Sequence, residues 1–241
     1  MTRTAMRAMC AAGGLLAAVS CPARAQTVVI TTNGSTVIVN GHVVSGGNAT
    51  VARGPIRTEE RAEPAYSGIR VDAPADVTFS PSAKSQVTVT APADILPLIE
   101  TDVNGGTLVI GLKGSVVLSS PIVIAATGPG LNSIALAGAG TVKAAGLSGP
   151  ALDISLAGSG AVAANGTVEQ VAIRLTGSGD VDVASIRAAS VRGLIAGSGS
   201  IRAFARESVD ARITGSGEFI VSGNPPQRAS SVSGSGEILF R

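Results

Sequence analysis

Apolar and polar residues alternate with a period of two along most of the chain after about residue 27. This alternation is typical of β-strands that bury one face. The runs are short, and Gly, Pro, Asn and Ser, the residues that turns favour, separate them. A short helical turn is expected only within residues 93–100, where Pro97 limits its length. The pattern therefore predicts an all-β protein.

A repeat of about 19 residues fills the C-terminal part of the chain, from about residue 121. The triplet Gly-x-Gly begins at Gly138, Gly158, Gly177, Gly197, Gly215 and Gly234. Two residues before each triplet the side chain is always apolar, as at Leu136, Leu156, Leu175, Ile195, Ile213 and Val232. A unit this short cannot bury its own apolar face, but stacked copies can. The period predicts a parallel β-helix or β-solenoid with glycine triplets at its corners.

Two other repeated β-folds fit the sequence less well. Propeller blades use longer repeats with aromatic signatures, and an outer-membrane barrel needs aromatic girdles. The chain has four Phe, one Tyr and no Trp. The solenoid is therefore the favoured architecture.

Residues 1–25 have the pattern of a secretory signal peptide. Arg3 and Arg7 precede an apolar run at residues 8–20, and Ala23-Arg24-Ala25 forms a cleavage site. The run is too short to cross a bilayer, so no transmembrane segment is expected in the mature chain. The alternative is a lipoprotein signal with acylation at Cys21. Both interpretations predict export, to the periplasm, the outer-membrane surface or the extracellular space.

Removal of the signal changes the charge of the protein. Arg3, Arg7 and Arg24 leave with it, which lowers the formal charge from +2 to −1. Nucleic acid is therefore not indicated as a partner. Cys10 and Cys21 also lie in this segment, so cleavage after Ala25 leaves no thiol in the mature chain.

The mature chain divides into three parts by composition. Residues 26–45 carry two Asn-Gly pairs between Val-, Ile- and Thr-rich runs, which predicts a small β-meander. Residues 46–64 are polar and charged, with Gly and Pro, and are expected to form a linker or exposed loop. Residues 65–241 then form the solenoid domain.

The residues offer no catalytic, cofactor-binding or metal site. His42 is the only histidine and follows a predicted turn, where a surface role is expected. Asp180 and Asp182 match a fragment of the nonapeptide calcium repeat, but the period is about 19 residues rather than nine. The triplets open no helix, so they do not form a dinucleotide fingerprint.

Two carboxylates form the strongest candidate for chemistry. Glu218 and Glu237 occupy equivalent outward positions in successive repeats, which puts their Cβ atoms about 5 Å apart in a stacked coil. Retaining glycosidases hold two carboxyl groups about 5–5.5 Å apart. The competing interpretation, which we favour, is that both are solvated charges that discourage edge-to-edge pairing. Asp182 and Arg202 are likewise equivalent and are expected to form a surface ion pair.

Several segments resemble the bacterial GIN-domain family of putative adhesins. They are "YSGIRVDAPADVTFS", "VTVTAPADILPLIETDVNGGTLVIGL", "LNSIALAGAGTV" and the repeated "AGSG", and they span about residues 65–241. The resemblance implies an exported, envelope-associated protein with a solenoid-like β-fold, and it implies no particular catalytic or binding residue. The repeat continues to Arg241, so the barrel of an autotransporter is not part of this sequence.

These observations lead to an exported, non-enzymatic protein of the cell envelope, an adhesin or a structural interaction module. Its expected partner is a surface protein or a glycan. The alternative is a carbohydrate-active enzyme that uses Glu218 and Glu237. Self-association through the solenoid ends is a further expectation, because the last repeat ends on the strand-like "EILFR" without a polar cap.

Overall fold

The computed structural model describes residues 17–19, 28–31, 36–39, 42–45, 50–52, 54–118 and 120–241. These residues form two compact units, one within residues 1–51 and 115–117 and the other within 52–114 and 118–241. The predicted cleavage site at Ala23-Arg24-Ala25 and the candidate acylation site at Cys21 lie outside the described residues.

The smaller unit contains an antiparallel sheet with its strands in chain order. The strands are β1 (Ala17–Val19), β2 (Val28–Thr31), β3 (Thr36–Val39) and β4 (His42–Ser45). Strands β2, β3 and β4 form the predicted meander, and β1 adds a fourth strand from within residues 1–25. A separate two-stranded parallel pair joins β5 (Thr50–Val51) to β12 (Val116–Val117).

The larger unit begins with shorter strands and one 3₁₀ turn. In chain order they are β6 (Ile56–Arg61), β7 (Gly68–Val71), β8 (Ala75–Pro81), β9 (Gln86–Pro92), η1 (Leu96–Leu98), β10 (Ile99–Asn104), β11 (Thr107–Leu112), β13 (Ile122–Gly128) and β14 (Ser133–Gly138). The 3₁₀ turn falls where a short helical turn was expected, within residues 93–100.

The coils with glycine corners follow, and they form the parallel β-solenoid that the period predicts. Their remaining strands are β15 (Thr141–Gly158), β16 (Ala161–Gly177), β17 (Asp180–Gly197), β18 (Ser200–Gly215), β19 (Glu218–Ser222), β20 (Gln227–Gly234) and β21 (Glu237–Phe240). Thr141 pairs with Ala161, twenty residues further on, so the 18-residue strand between them must turn back on itself within one coil. Register shifts, such as the one between Ala144 and Leu147, mark where it bends.

The solenoid begins earlier in the chain than the glycine triplets indicate. Strand β7 pairs in parallel with β14, and β8 pairs in parallel with β15, so residues 68–81 form a coil of their own. The next coil outward comes from β11 and β13, which pair with β7 and β8. The 68–81 coil therefore lies between the β11–β13 coil and the coil that begins with β14, although it precedes both in the sequence. This coil has no Gly-x-Gly; Asp72-Ala73-Pro74 stands at its corner.

Antiparallel strands cover the N-terminal end of the solenoid. Strand β10 pairs with β11 on one side, and β6 pairs with β9 on the other. Strand β6 lies inside residues 46–64, for which the polar composition predicts a linker. Its side chains are almost all exposed, so the backbone ladder rather than apolar burial holds residues 56–61 in the sheet. Because its residues are mostly charged and exposed, β6 lacks the alternation of apolar and polar residues from which a strand is predicted.

The glycine corners stack directly on one another. Gly158 pairs with Gly177, and Gly177 pairs with Gly197, while Ser178 donates its backbone N–H to the carbonyl oxygen of Gly158 at 3.0 Å. Gly177 has a φ of +116°, and a Cβ added there would overlap the Gly158 carbonyl group. A Cβ added at Gly179 would lie 2.7 Å from Cδ2 of Leu156. Both glycines of the triplet are therefore required by the close approach of the preceding coil.

Aliphatic ladders fill the interior of the coils. The column two residues before each corner is buried throughout from Leu136 to Ile213. In one inward column the side chains are smaller in the later coils, where Ile173 is followed by Gly193 and Ala211. The ring of Phe219 occupies the space that a Cβ at Gly193 would need. Large and small residues thus compensate across the core, which keeps it filled without aromatic layers.

Candidate binding groove

A groove of about 580 Å³ runs along the side of the solenoid, parallel to its axis. Five successive coils each contribute three consecutive residues to it: 151–153, 170–172, 190–192, 208–210 and 227–229. Strand pairing puts these triplets in register, since Ala151 pairs with Gln170, Gln170 with Ser190, Ser190 with Ser208, and Ser208 with Gln227. Four intervals of about 4.8 Å give the groove a length of about 19 Å.

The first wall of the groove presents hydroxyl and amide groups. Its column consists of Ala151, Gln170, Ser190, Ser208 and Gln227. Gln170 and Gln227 are exposed, and the two serines are half-buried. Each of these polar side chains can both donate and accept hydrogen bonds, so the wall offers one such group per coil over four coils.

The floor of the groove follows the middle residue of each triplet. In four of the five coils this residue is buried with its side chain in the core (Leu152, Val171, Val191 and Val209), whereas in the fifth it is the exposed Arg228. The backbone groups on this line belong to the parallel ladder, as in the pairing of Val171 with Val191. The side chains of the walls must therefore carry any recognition in this part of the groove.

The second wall carries the charges. Its column consists of Asp153, Ala172, Arg192, Asp210 and Ala229. Asp210 accepts ion pairs from Nε of Arg192 at 3.6 Å and from Nη2 of Arg212, just outside the groove, at 3.1 Å. Asp153 is exposed and makes no ion pair among the described residues. The wall therefore combines a solvent-exposed Arg–Asp pair with an accessible carboxylate.

A smaller recess of about 180 Å³ adjoins this wall. Leu194 lies in it between Arg174 and Arg212, which are its partners in the neighbouring coils. Leu194 is 40% exposed, which is unusual for a large aliphatic residue on this solenoid. The recess therefore presents a mainly apolar surface between two arginine side chains.

Glu218 and Glu237 are direct partners in the adjacent parallel strands β19 and β21. Their nearest equivalents in the preceding coils are Ser200 and Asp180, whose side chains hydrogen-bond to each other. Neither glutamate lines the 580 Å³ groove or the smaller recess. The pair therefore lies on an outward column, outside both of these concavities.

The predicted ion pair between Asp182 and Arg202 does not form. The two residues are strand partners, as expected from the repeat. However, Oδ1 of Asp182 accepts the backbone N–H of Ala184 at 3.1 Å. Asp commonly bonds a backbone group two residues on, and this local contact engages the carboxylate in place of the arginine.

Within the described residues, the structure does not assemble a metal site from the remaining sequence candidates. His42 lies in β4, and the structure does not describe its side chain. Within the described ranges no three His, Cys, Asp or Glu residues gather as metal ligands would, and Asp180 and Asp182 are no exception. No helix in that same part of the chain is long and apolar enough to span a bilayer.

Sequence reasoning did not identify the groove, although its signal is present. Gln170, Ser190, Ser208 and Gln227 all lie seven residues before a corner glycine. Aligning the repeats on their glycines shows this polar column directly before a position that is apolar in the inner coils, at Val171, Val191 and Val209. Its concave shape comes from the bend of each coil, which the sequence pattern does not reveal.

Comparisons with known proteins agree on the fold. The family model described as "Putative auto-transporter adhesin, head GIN domain" matches residues 65–225. A putative adhesin from Bacteroides fragilis has a similar structure, with 22% identity, a TM-score of 0.68, and coverage of 80% of this chain and 100% of that chain. A putative lipid binding protein from Parabacteroides distasonis has 22% identity, a TM-score of 0.55 and the same coverage. The curated proteins provide no match.

Proposed function

Because the chain belongs to the family of putative auto-transporter adhesins with a head GIN domain, we propose that it is an exported, non-enzymatic interaction protein of the cell envelope. We further propose that it binds an extended glycan in the groove of residues 151–153, 170–172, 190–192, 208–210 and 227–229. The repetition of a polar wall from coil to coil is the observation that carries this proposal.

The shape of the groove favours a long ligand that lies along the solenoid axis. Equivalent side chains recur about every 4.8 Å, so a polymer with a repeating unit can make similar contacts in successive coils. A glycan presents many hydroxyl groups that both donate and accept, as the side chains of Gln170, Ser190, Ser208 and Gln227 do. Asp153 adds a carboxylate acceptor, and its exposure leaves it accessible to ligand hydroxyls.

The lining does not favour an acyl chain, although one neighbour is named a lipid binding protein. Lipid tails require an apolar pocket, whereas here the walls carry amide, hydroxyl and charged groups. The core positions beneath the floor are filled by buried aliphatic side chains such as Leu152 and Val191. A polar polymer therefore suits the groove better than a lipid.

Groove variants test the binding site. The double variant Gln170→Ala/Gln227→Ala removes both amide side chains, and two lost hydrogen bonds of about 1 kcal/mol each weaken binding roughly thirtyfold. The matched control is Lys143→Ala, an exposed outward residue on a different part of the coil. Titration calorimetry with a neutral glucan, a uronate polymer and purified peptidoglycan measures affinity. Equal affinity of the double variant, or no binding to any of the three, contradicts the proposal.

Hydrolysis by Glu218 and Glu237 is the alternative function. Their pairing across adjacent strands supports it, since the spacing suits two carboxyl groups of a retaining enzyme. Incubating the protein with the glycan it binds, followed by product analysis, separates binding from turnover. Cleavage that is lost in Glu218→Gln and Glu237→Gln would replace the binding proposal with the enzymatic one.

Export is supported by the signal-like residues 1–25 and by the adhesin family. A non-permeant protease added to intact producing cells, with permeabilised cells as the control, locates the chain. Cleavage on intact cells indicates the outer surface, where a glycan of another cell is the partner. Protection until permeabilisation indicates the periplasm and an envelope glycan, and cofractionation with the cytoplasm contradicts export.

A further inference from the structure

The C-terminal coil of the solenoid is open on its outer side. Among the described residues, β20 pairs only with β18, and β21 pairs only with β19. Val232 belongs to the inward column of the core, yet it is 42% exposed, whereas its neighbour Ile213 is 2% exposed. Among the described residues, which extend to Arg241, no further layer covers the apolar side of this coil.

One side chain covers part of the opening. The guanidinium of Arg228 lies 4.7 Å from the centroid of the Phe240 ring. Nε of Arg228 donates to the carbonyl oxygen of Pro225 at 2.9 Å, and Nη2 donates to the side chain of Asn224. This arrangement shields one ring face and leaves the outer backbone edge of β21 unpaired among the described residues.

The opposite end of the solenoid is protected by charge. Its edge strand β6 exposes Arg57, Glu59 and Glu60, and its edge strand β10 carries Glu100 and Asp102. Such charges discourage the addition of another strand. The two ends therefore differ, and the C-terminal one is the better template for pairing.

Strand β21 is complementary to its own reverse. Its sequence Glu237-Ile238-Leu239-Phe240 is followed by Arg241, whose backbone N–H continues the ladder to the carbonyl oxygen of Val221 at 2.8 Å. In an antiparallel pair centred on Leu239, Glu237 faces Arg241 of the second copy, and Ile238 faces Phe240 of the second copy. Directly opposite residues lie about 4.5–5.5 Å apart, so both charges and both apolar residues meet in pairs.

We propose that two copies of this chain associate tail to tail through antiparallel pairing of β21 with β21. The arrangement has two-fold symmetry, so each contact occurs twice and the assembly closes as a dimer. The apolar side of one open coil then covers that of the other. A one-residue slip would bring the charged ends opposite apolar residues, so the charges also select the register. The inference is independent of glycan binding.

Charge reversal tests the register. Sedimentation velocity of the full chain, over a range of concentrations, gives the dimer dissociation constant. Glu237→Arg and Arg241→Glu each set like charges opposite each other, twice per dimer, and each raises that constant about tenfold or more. The double variant Glu237→Arg/Arg241→Glu restores opposite charges and returns the constant to the wild-type range.

The control separates this interface from general charge effects. Glu207→Arg changes an exposed charge on an inner coil and leaves the dissociation constant unchanged. Thermal unfolding is recorded for all variants, and matching melting temperatures show that each one folds. A wild-type chain that remains monomeric at every concentration overturns the proposal. Failure of the double variant to recover dimerisation, with both single variants impaired, overturns the proposed register.

Discussion

Substituting the corner glycines isolates the energy of their stacking. Gly177→Ala places a methyl group in a residue with φ of +116° and against the carbonyl group of Gly158. Gly138→Ala is the matched control, because Gly138 is also a corner glycine, with φ of +107°, but a Cβ there meets nothing within 4 Å. Both variants carry backbone strain, whereas only Gly177→Ala forces two coils apart.

The expected magnitudes follow from these two contributions. Strained backbone costs about 1–3 kcal/mol, which applies to both variants. Overpacking adds about 1–3 kcal/mol at Gly177. The shift also weakens the 3.0 Å hydrogen bond from Ser178 N–H to the Gly158 oxygen, worth about 1 kcal/mol. We therefore expect Gly177→Ala to lower the free energy of unfolding by about 2–4 kcal/mol more than Gly138→Ala.

Urea unfolding followed by far-ultraviolet circular dichroism measures the difference. The larger loss in Gly177→Ala should appear as a lower midpoint. Equal losses in the two variants would refute the reasoning, since they would show that conformational strain alone explains the glycine. A milder effect at Gly177 than at Gly138 would refute the stacking of the corners.

Two further predictions concern the interior of the fold. Phe219→Ala should lower the free energy of unfolding by about 3–5 kcal/mol. Gly193→Val should also lower it, because the ring of Phe219 occupies the space that the new side chain needs. When the two substitutions are combined, part of the loss should be recovered, since the valine then fills space that the ring has left. Additive losses in urea unfolding would contradict this compensation. Burial, with a smaller contribution from Glu63, raises the pKa of Tyr66 to about 12, and its hydroxyl donates to the carbonyl oxygen of Thr127 at 2.7 Å. The neutral phenol is favoured in the fold, so the stability from Tyr66 is complete below about pH 10 and is lost between about pH 10 and 12. Tyr66 is the only tyrosine, so tyrosinate absorbance reports it directly, and titration at the ordinary value in the folded chain would contradict this prediction.

The repeat predicted most of the solenoid because each corner leaves a local mark. Gly177 and its equivalents are constrained by the backbone of the neighbouring coil, so the glycine triplet recurs in every coil from Gly138 onward. The coil at residues 68–81 lacks that mark, since Asp72-Ala73-Pro74 forms its corner. Its position between the β11–β13 coil and β14 depends on long-range pairing, which no local pattern encodes.

The groove and the side-chain contacts were harder to predict for a different reason. Ser190 and Ser208 occupy equivalent outward positions in the repeat, but their place in a concavity depends on the bend of each coil. Asp182 and Arg202 are strand partners as predicted, yet a backbone N–H two residues away competes successfully for the carboxylate. Periodicity identifies which residues are neighbours, and local geometry decides which of them interact.

The length dependence of glycan binding tests the central claim most directly. Titration calorimetry with size-fractionated oligosaccharides of one glycan gives affinity as a function of chain length. If the ligand lies along the five coils, affinity rises with each added sugar until the chain spans about 19 Å and then levels off, with the glycan recovered intact. Affinity that is independent of length, or recovery of shortened glycan, would contradict an extended, non-enzymatic binding groove.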